Sequence, residues 1–378
     1  MSALSSLPLP PTIRARIVAD INGLDMHVLE AGFETPGRRA LLLLHGFPEL
    51  AFSWRKVMPA LAAAGYHVIA PDQRGYGRTT GWDDRYDGDV ASFGLLNLAR
   101  DALALLNAFG YRTADVVGHD FGSSVAAWCA LVRPDVFRSV AMMSAPFAGP
   151  PALPFDTIAH PQRPAEDPVH RDLAALPRPR QHYQWYYCGD TADADMRHAP
   201  QGLHQFLRAY YHVKSADWPG NRPYPLAAWS ADDLAKLPTY YVMDAGKTMA
   251  ETVAPDMPSP QQIAANRWLP DDELAVYAAE YARTGFQGGL HWYRNFADPA
   301  IRAPLQLFSG RTIDVPACFI SGAQDWGIHQ KAGAMETMRR QACSDFRALH
   351  LIEGAGHWVQ QEQPAEVTRL LLAFLPPR

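Results

Sequence analysis

Residues 116–124, Val116-Val117-Gly118-His119-Asp120-Phe121-Gly122-Ser123-Ser124, pass from an apolar, strand-like run directly into a helix-like one, with glycine two places before and two places after an aspartate. This spacing predicts a sharp strand-to-helix turn, a nucleophile elbow with Asp120 in the place serine usually takes. Small neighbours are required because the turning residue crowds both the strand it leaves and the helix it enters, while its side chain is thrown into a pocket. The helix start adds N–H groups that favour negative charge. Asp is also a common helix cap, and the segment alone leaves that simpler role open.

The flanking sequence supplies a sheet for such an elbow. Alternation through 13–31 around Asn22-Gly23 predicts an antiparallel hairpin. Short apolar runs at 40–44 and 66–70, with a helix expected over 52–64 between them, carry the strand–helix–strand sign of parallel pairing. A helix capped by Ser92 is expected to run to Phe109 and stop at Gly110. Buried strands are expected at 114–117 and 138–143, joined by a helix over 122–132 that ends before Arg133-Pro134. At Pro146 the texture changes: to about Pro304 the chain is rich in Pro, Tyr, Trp and Ala, with helix-like stretches at 202–213 and 271–284 and no repeated strand pattern. Strand, helix, strand and helix patterns then return at 317–321, 330–343, 347–352 and 364–375. The expectation is an α/β protein whose mostly parallel sheet is built from 1–147 and 305–378 and interrupted by a mainly helical insertion, 148–304. The Pro-rich patches 145–168 and 254–260 read as loops and linkers.

Composition narrows the functional classes. The 378 residues are 48% hydrophobic and 19% charged, the balance of a folded globular chain. A net charge of −5 without any Lys/Arg cluster argues against nucleic acid or an anionic membrane as partner. No apolar run approaches the roughly 20 residues of a membrane span. Residues 1–11 lack the basic and apolar regions of a secretory signal. Cys129, Cys188, Cys318 and Cys343 show no CxxC spacing and read as reduced thiols of a cytoplasmic protein. Gly75-Tyr76-Gly77 lacks the dinucleotide fingerprint, and the histidines, His291 among them, show no ligand spacing, so neither a nucleotide cofactor nor a metal is expected.

Three further segments fit the elbow. His45-Gly46-Phe47-Pro48 follows the third strand, where a loop contributes a backbone N–H to an oxyanion hole, here that of Phe47, with Phe121 supplying the second. Asp325 follows the expected strand 317–321, and His357 follows 347–352. In an open parallel sheet the C-terminal strand ends are where ligands collect, so Asp120, Asp325 and His357 are expected to converge. A single His in a Gly-rich loop is usually a surface residue. Nucleophile, acid and His in that chain order, each after a strand, form a catalytic pattern.

HGFPE at 45–49, DQRGYGRT at 72–79, GHDFGS at 118–123 and GHW at 356–358 together resemble the epoxide hydrolases of the α/β-hydrolase fold, from about Ile17 to Leu375 and most closely outside the insertion. The resemblance implies that fold, with 148–304 as a cap or lid over the site. An Asp nucleophile is shared by epoxide hydrolases and by dehalogenases of the haloalkane or haloacid type. HYQWY at 182–186 and GLHWYRN at 289–295 are similar to the family segments that carry two cap tyrosines, which implies Tyr183 and Tyr293. Tyr186 and Tyr187 lie within a short alignment slip of the first. Dehalogenases commonly use a Trp directly after the nucleophile for halide release, whereas Phe121 stands there, also in place of the Trp of many epoxide hydrolases. A non-catalytic ligand-binding relative is disfavoured because no triad position is substituted.

The resemblance implies that the Asp120 carboxylate attacks an epoxide carbon while Tyr183 and Tyr293, phenols with an ordinary pKa of about 10, protonate the ring oxygen. His357 then activates water against the Asp120 ester, Asp325 orients the imidazole, and the Phe47 and Phe121 N–H groups hold the oxyanion. The expected product is a vicinal diol from a small apolar epoxide and water, with no metal or organic cofactor. Pro48, Gln184 and the aromatic Phe47, Phe121, Trp185, Trp292, Trp326 and Trp358 are expected to line the substrate pocket, though core packing alone accounts for many such aromatics. Residues 240–244 and 247–249 carry no assigned role.

Overall fold

The computed structural model describes residues 6–153 and 167–375. Its strands are β1 (Ile13–Ile21), β2 (Leu24–Ala31), β3 (Arg39–Leu44), β4 (Tyr66–Pro71), β5 (Ala114–His119), β6 (Phe137–Met143), β7 (Arg180–His182), β8 (Val242–Asp244), β9 (Ala317–Gly322) and β10 (Phe346–Ile352). Eight of them form one sheet in the order β1-β2-β4-β3-β5-β6-β9-β10. From β4 to β10 every pairing is parallel, and only the β1–β2 hairpin and the β2–β4 edge are antiparallel. The hairpin turns on Asn22 and Gly23, both at positive φ (52° and 82°), as a two-residue turn matched to strand twist demands. The central strands β4, β5 and β9 are buried throughout because helices cover both faces. Helices Leu95–Ala108 and Phe121–Val132 pack on one face, and Met58–Ala63 with Pro364–Phe374 on the other.

Between β6 and β9 the chain leaves the sheet and forms mostly helices, the longest being Leu203–Lys214, Asp271–Thr284 and Gln287–Ala297. It also forms a short antiparallel ribbon of β7 and β8, where alternation too brief to register in the sequence pairs 180–182 with 242–244. Of the Pro-rich patch 145–168, residues 154–166 lie outside the described residues. Among the described residues no helix is long and apolar enough to cross a membrane.

Several expected elements are shorter than the pattern suggested. The helix over 52–64 is split into a 3-10 turn, Ala51–Trp54, and a helix, Met58–Ala63, because Pro59 has no N–H to continue the earlier turn and sits comfortably only at a helix start. Ser92 does not cap the next helix: its hydroxyl is donated to the Asp89 carbonyl, and the helix begins at Leu95 after Gly94. The helix over 330–343 contracts to Ala334–Thr337 followed by a wide turn, Met338–Ala342, since Gly333 in a left-handed conformation delays its start. Pro260 opens a helix, Pro260–Ala265, held at its start by a Ser259–Gln262 capping box, so part of the 254–260 patch is not loop.

Candidate active site

The ends of four parallel strands build the site. Asp120 follows β5 and precedes the helix Phe121–Val132 with φ 54° and ψ −121°, a strained conformation for a residue bearing a side chain. The elbow closes only around glycines: a Cβ on Gly118 would stand 2.0 Å from the Gly122 carbonyl oxygen, and one on Gly122 2.3 Å from that of Leu44. The turn aims the Asp120 carboxylate at the loop after β3, where the Phe47 N–H donates to Oδ1 at 3.0 Å. Phe121 opens the helix, so its N–H is one of the first-turn donors without an intrahelical partner.

Asp325 and His357 arrive from the ends of β9 and β10. His357 Nδ1 lies 3.1 and 3.2 Å from the two Asp325 oxygens, and its Nε2 lies 3.3 Å from Asp120 Oδ2, close enough for an ion pair though not aligned as a hydrogen bond. Asp325 is itself fixed by the Gly327 N–H at 2.7 Å and the Ser321 hydroxyl at 3.2 Å. Burial disfavours the His357 cation, but Asp325 and Asp120 outweigh it and raise the imidazole to about 9. Burial likewise opposes both carboxylates, yet the facing imidazole holds each of them below the ordinary range. The resting site is therefore an anion–cation–anion row.

Tyr183 and Tyr293 stand together beside this row. Their ring centroids are 6.0 Å apart, and Tyr293 packs edge-on against Phe47 at 5.4 Å and Phe121 at 5.3 Å. Burial and the Asp120 charge push the Tyr183 phenol above its ordinary value, and burial does the same for Tyr293, so both keep their protons at neutral pH. Tyr183 opens the short helix Tyr183–Tyr187, and its N–H donates to the Tyr241 carbonyl at 2.8 Å. Thus residues 240–244 serve as the ribbon against which Tyr183 is set. Tyr183 Oη accepts from the Gln184 amide at 3.3 Å. The neighbouring hydroxyls are otherwise engaged, Tyr186 on Asp195 and Tyr187 on Tyr210.

The other expected lining residues divide. Phe47 and Phe121 face the tyrosines, and the Pro48 carbonyl accepts from Tyr211 Oη at 2.8 Å. Trp292 and Trp358 are buried beside the site but spend their indole N–H groups on Arg74 and Tyr211 carbonyls. Trp326 packs edge-on against Tyr224. Trp185 is a correction: it is 42% exposed and stacks on His170, because the helical turn that buries Tyr183 and Tyr187 points the residue between them outward.

Three participants were not singled out from the sequence. Lys214 is 3% exposed, its ammonium 4.8 Å from the Tyr241 ring and 5.5 Å from that of Tyr183; burial lowers it to about 8, against the pull of Asp120 and Asp325. Glu49 and His119 form a buried pair at 2.6 Å, and the other His119 nitrogen meets the His357 carbonyl at 2.7 Å. Glu49 and His119 fall inside the quoted HGFPE and GHDFGS motifs, whereas Lys214 ends an ordinary amphipathic helix and carries no local signal. Among the described residues no group of three or more His, Cys, Asp or Glu side chains is arranged to hold a metal ion.

Comparison with known proteins shows the family to which the fold belongs. Residues 39–364 match the family described as the alpha/beta hydrolase fold. The chain is 34% identical to Epoxide hydrolase A of Mycobacterium tuberculosis over 95% of this chain and 96% of that protein. Among solved structures, an epoxide hydrolase from an endophytic Streptomyces superposes with a TM-score of 0.76 at 30% identity, covering 97% of this chain and 96% of that one. Epoxide Hydrolase A from Mycobacterium thermoresistibile superposes with a TM-score of 0.71 at 32% identity, covering 96% and 98%.

Proposed function

The chain belongs to the epoxide hydrolases of the α/β-hydrolase fold, and we propose that it converts small apolar epoxides to vicinal diols through an ester formed on Asp120. The observation that carries the mechanism is the division of labour between the two Asp120 oxygens. Oδ1 is held by the Phe47 N–H and Oδ2 faces His357, which leaves Oδ2 as nucleophile and Oδ1 as the carbonyl oxygen of the ester. In the first step Oδ2 bonds to a ring carbon, the carbon–oxygen bond of the epoxide breaks, and a proton passes from Tyr183 or Tyr293 to the departing oxygen.

Esterification removes the negative charge 3.3 Å from Nε2, so His357 loses one of the two anions that kept it protonated. The proton it releases balances the one lost by the phenol. As free base, His357 takes a proton from water, whose oxygen attacks the ester carbon, and the charge on Oδ1 falls to the Phe47 and Phe121 N–H groups. The bond between that carbon and Oδ2 then breaks, His357 returns the proton to the departing oxygen, the diol leaves with Oδ2, and the remaining proton on the new Asp120 carboxyl passes to His357, which restores the resting ion pair. Only epoxide and water are consumed.

In this reading residues 148–304 are the cap that brings the acid to a core built from 1–147 and 305–378. Tyr183 rather than Tyr186 or Tyr187 is the first donor, because the latter two hydroxyls are committed to Asp195 and Tyr210. Four unpaired cysteines suit a reducing, cytoplasmic setting. The test is intact-protein mass spectrometry of His357→Gln after incubation with a panel of aryl epoxides. A mass gain equal to the whole epoxide, mapped to Asp120, is expected. An adduct mapped to another residue, or normal diol formation by Asp120→Ala, refutes the mechanism.

A further inference from the structure

Three consecutive backbone amides hold the loop that carries His357. The Gly356 N–H donates to Glu362 Oε2 at 3.0 Å, the His357 N–H to the Lys214 carbonyl at 2.8 Å, and the Trp358 N–H to Glu362 Oε1 at 2.9 Å. Glu362 Oε2 also accepts the Ala216 N–H at 2.8 Å. One carboxylate thus brackets His357 on both sides and ties its loop to the segment 214–216, which leaves the helix Leu203–Lys214 of the insertion. Glu362 reaches this place from the end of a single turn, Val359–Glu362, and lies on the wall of a groove of about 710 Å³ shared with Arg208, Asp217 and Trp268, which neither Asp120 nor His357 lines. It does not touch the reacting atoms.

We propose that Glu362 is a positioning residue for the second half-reaction: its carboxylate fixes the His357 loop against the insertion so that Nε2 stays poised over the ester carbon. The inference rests on the reading that His357 acts on the ester and not on the epoxide. A carboxylate suits the place because it offers acceptors on both oxygens and no donor, and the three N–H groups that converge on it partly offset the burial that raises its carboxyl to about 7. Glutamine there turns an N–H group of its own toward at least one of those donors. The consequence is selective. Ring opening depends on Asp120 and the tyrosines, which Glu362 does not contact, whereas hydrolysis depends on where Nε2 stands.

Single-turnover mixing of Glu362→Gln with an epoxide that the wild type converts, quenched at intervals and read by intact mass, separates the two constants. The expected result is an alkylation rate close to the wild-type value and ester hydrolysis slowed by roughly 10- to 100-fold, the range for losing a partner that orients a reacting group. The ester then accumulates in the steady state. A general structural defect lowers both constants together, and that outcome, or an unchanged hydrolysis rate, overturns the proposal.

Gly356→Ala decides the matter if Glu362→Gln does not fold. A methyl there stands 2.5 Å from the Lys214 carbonyl oxygen and 2.7 Å from the Ala216 nitrogen, so it presses the same segment off the loop from the other side. Accumulation of ester is again expected, and proportional loss of both steps again refutes. A wild type that forms diol without any ester refutes the underlying mechanism, which is distinguishable from failure of the clamp alone.

Discussion

Asp120→Asn removes one of the two charges that hold the His357 imidazolium while nearly preserving shape, and so imitates the electrostatics of the ester. The separation to be worked with is 3.3 Å, from Nε2 to Oδ2. With an effective dielectric constant of about 20, a pair of unit charges at that distance interacts by about 5 kcal/mol. At about 1.36 kcal/mol per pKa unit this corresponds to a drop of roughly three to four units. The asparagine carbonyl keeps part of the interaction as a dipole, so a drop of about two to three units is expected. That carries His357 from about 9 to roughly 6 to 7. The assay is NMR titration of the ¹⁵N-labelled imidazole in wild type and variant from mildly acidic to alkaline pH. A variant pKa within about half a unit of the wild-type value refutes the claim that esterification frees the base. Asp325, on Nδ1, would then hold the proton alone.

The other predictions concern the acid and the stability of the charged row. Tyr293→Phe and Tyr183→Phe should each slow alkylation by about 100- to 1,000-fold, the usual cost of one donor to a developing oxyanion, with little change in substrate affinity. Rapid quenching read by intact mass follows that step, and an unaltered rate in either variant removes that tyrosine from the mechanism. The His357 pKa is raised on folding from 6.5 to about 9, so the stability it contributes is fully present below pH 6.5 and lost as pH rises through about 9. The span is worth about 3 kcal/mol. Thermal melts at stepped pH should therefore show a decline between those values in the wild type that His357→Gln lacks, and parallel pH profiles for the two proteins contradict it.

The Asp120, His357 and Asp325 row was legible because each member sits in a local pattern that the backbone itself requires. Gly118 and Gly122 are readable as small because a Cβ at either would strike backbone, and a strand end followed by Asp325 or His357 is a short-range signal. Tyr183 and Tyr293 were reachable only through resemblance, since nothing about a tyrosine in a helix says which face it presents. Trp185 shows why: in Tyr183–Tyr187 the buried and exposed aromatics alternate by helical turn, and composition cannot rank them. Residues 240–244 carried no reading because a three-residue strand takes its meaning from its partner, 180–182, more than fifty positions away. Lys214 and Glu362 were silent for the same reason: their role lies in backbone groups of a distant loop, which side-chain pattern does not encode.

That the proposed acid and nucleophile belong to different parts of the chain raises the question of what keeps them in register. Buried hydrogen bonds cross between the two at the loops that matter. Tyr211 Oη donates to the Pro48 carbonyl at 2.8 Å and Tyr281 Oη to that of Glu49 at 3.2 Å, so two tyrosines of the insertion hold the loop that carries the Phe47 N–H. Trp358 Nε1 donates to the Tyr211 carbonyl at 2.8 Å, which fixes the residue after His357 to the same helix. Trp292, adjacent to Tyr293, donates to the Arg74 carbonyl at 2.9 Å. Each of these donors is buried, and leaving one unpaired costs about 1 to 3 kcal/mol, so separating the surfaces would cost several such penalties at once. The groups to which the proposed mechanism gives the roles of oxyanion donor, base and acid are thereby referred to one bonded framework. In that mechanism the transition-state charge is met by groups that are already in place, the condition under which electrostatic stabilisation is most effective.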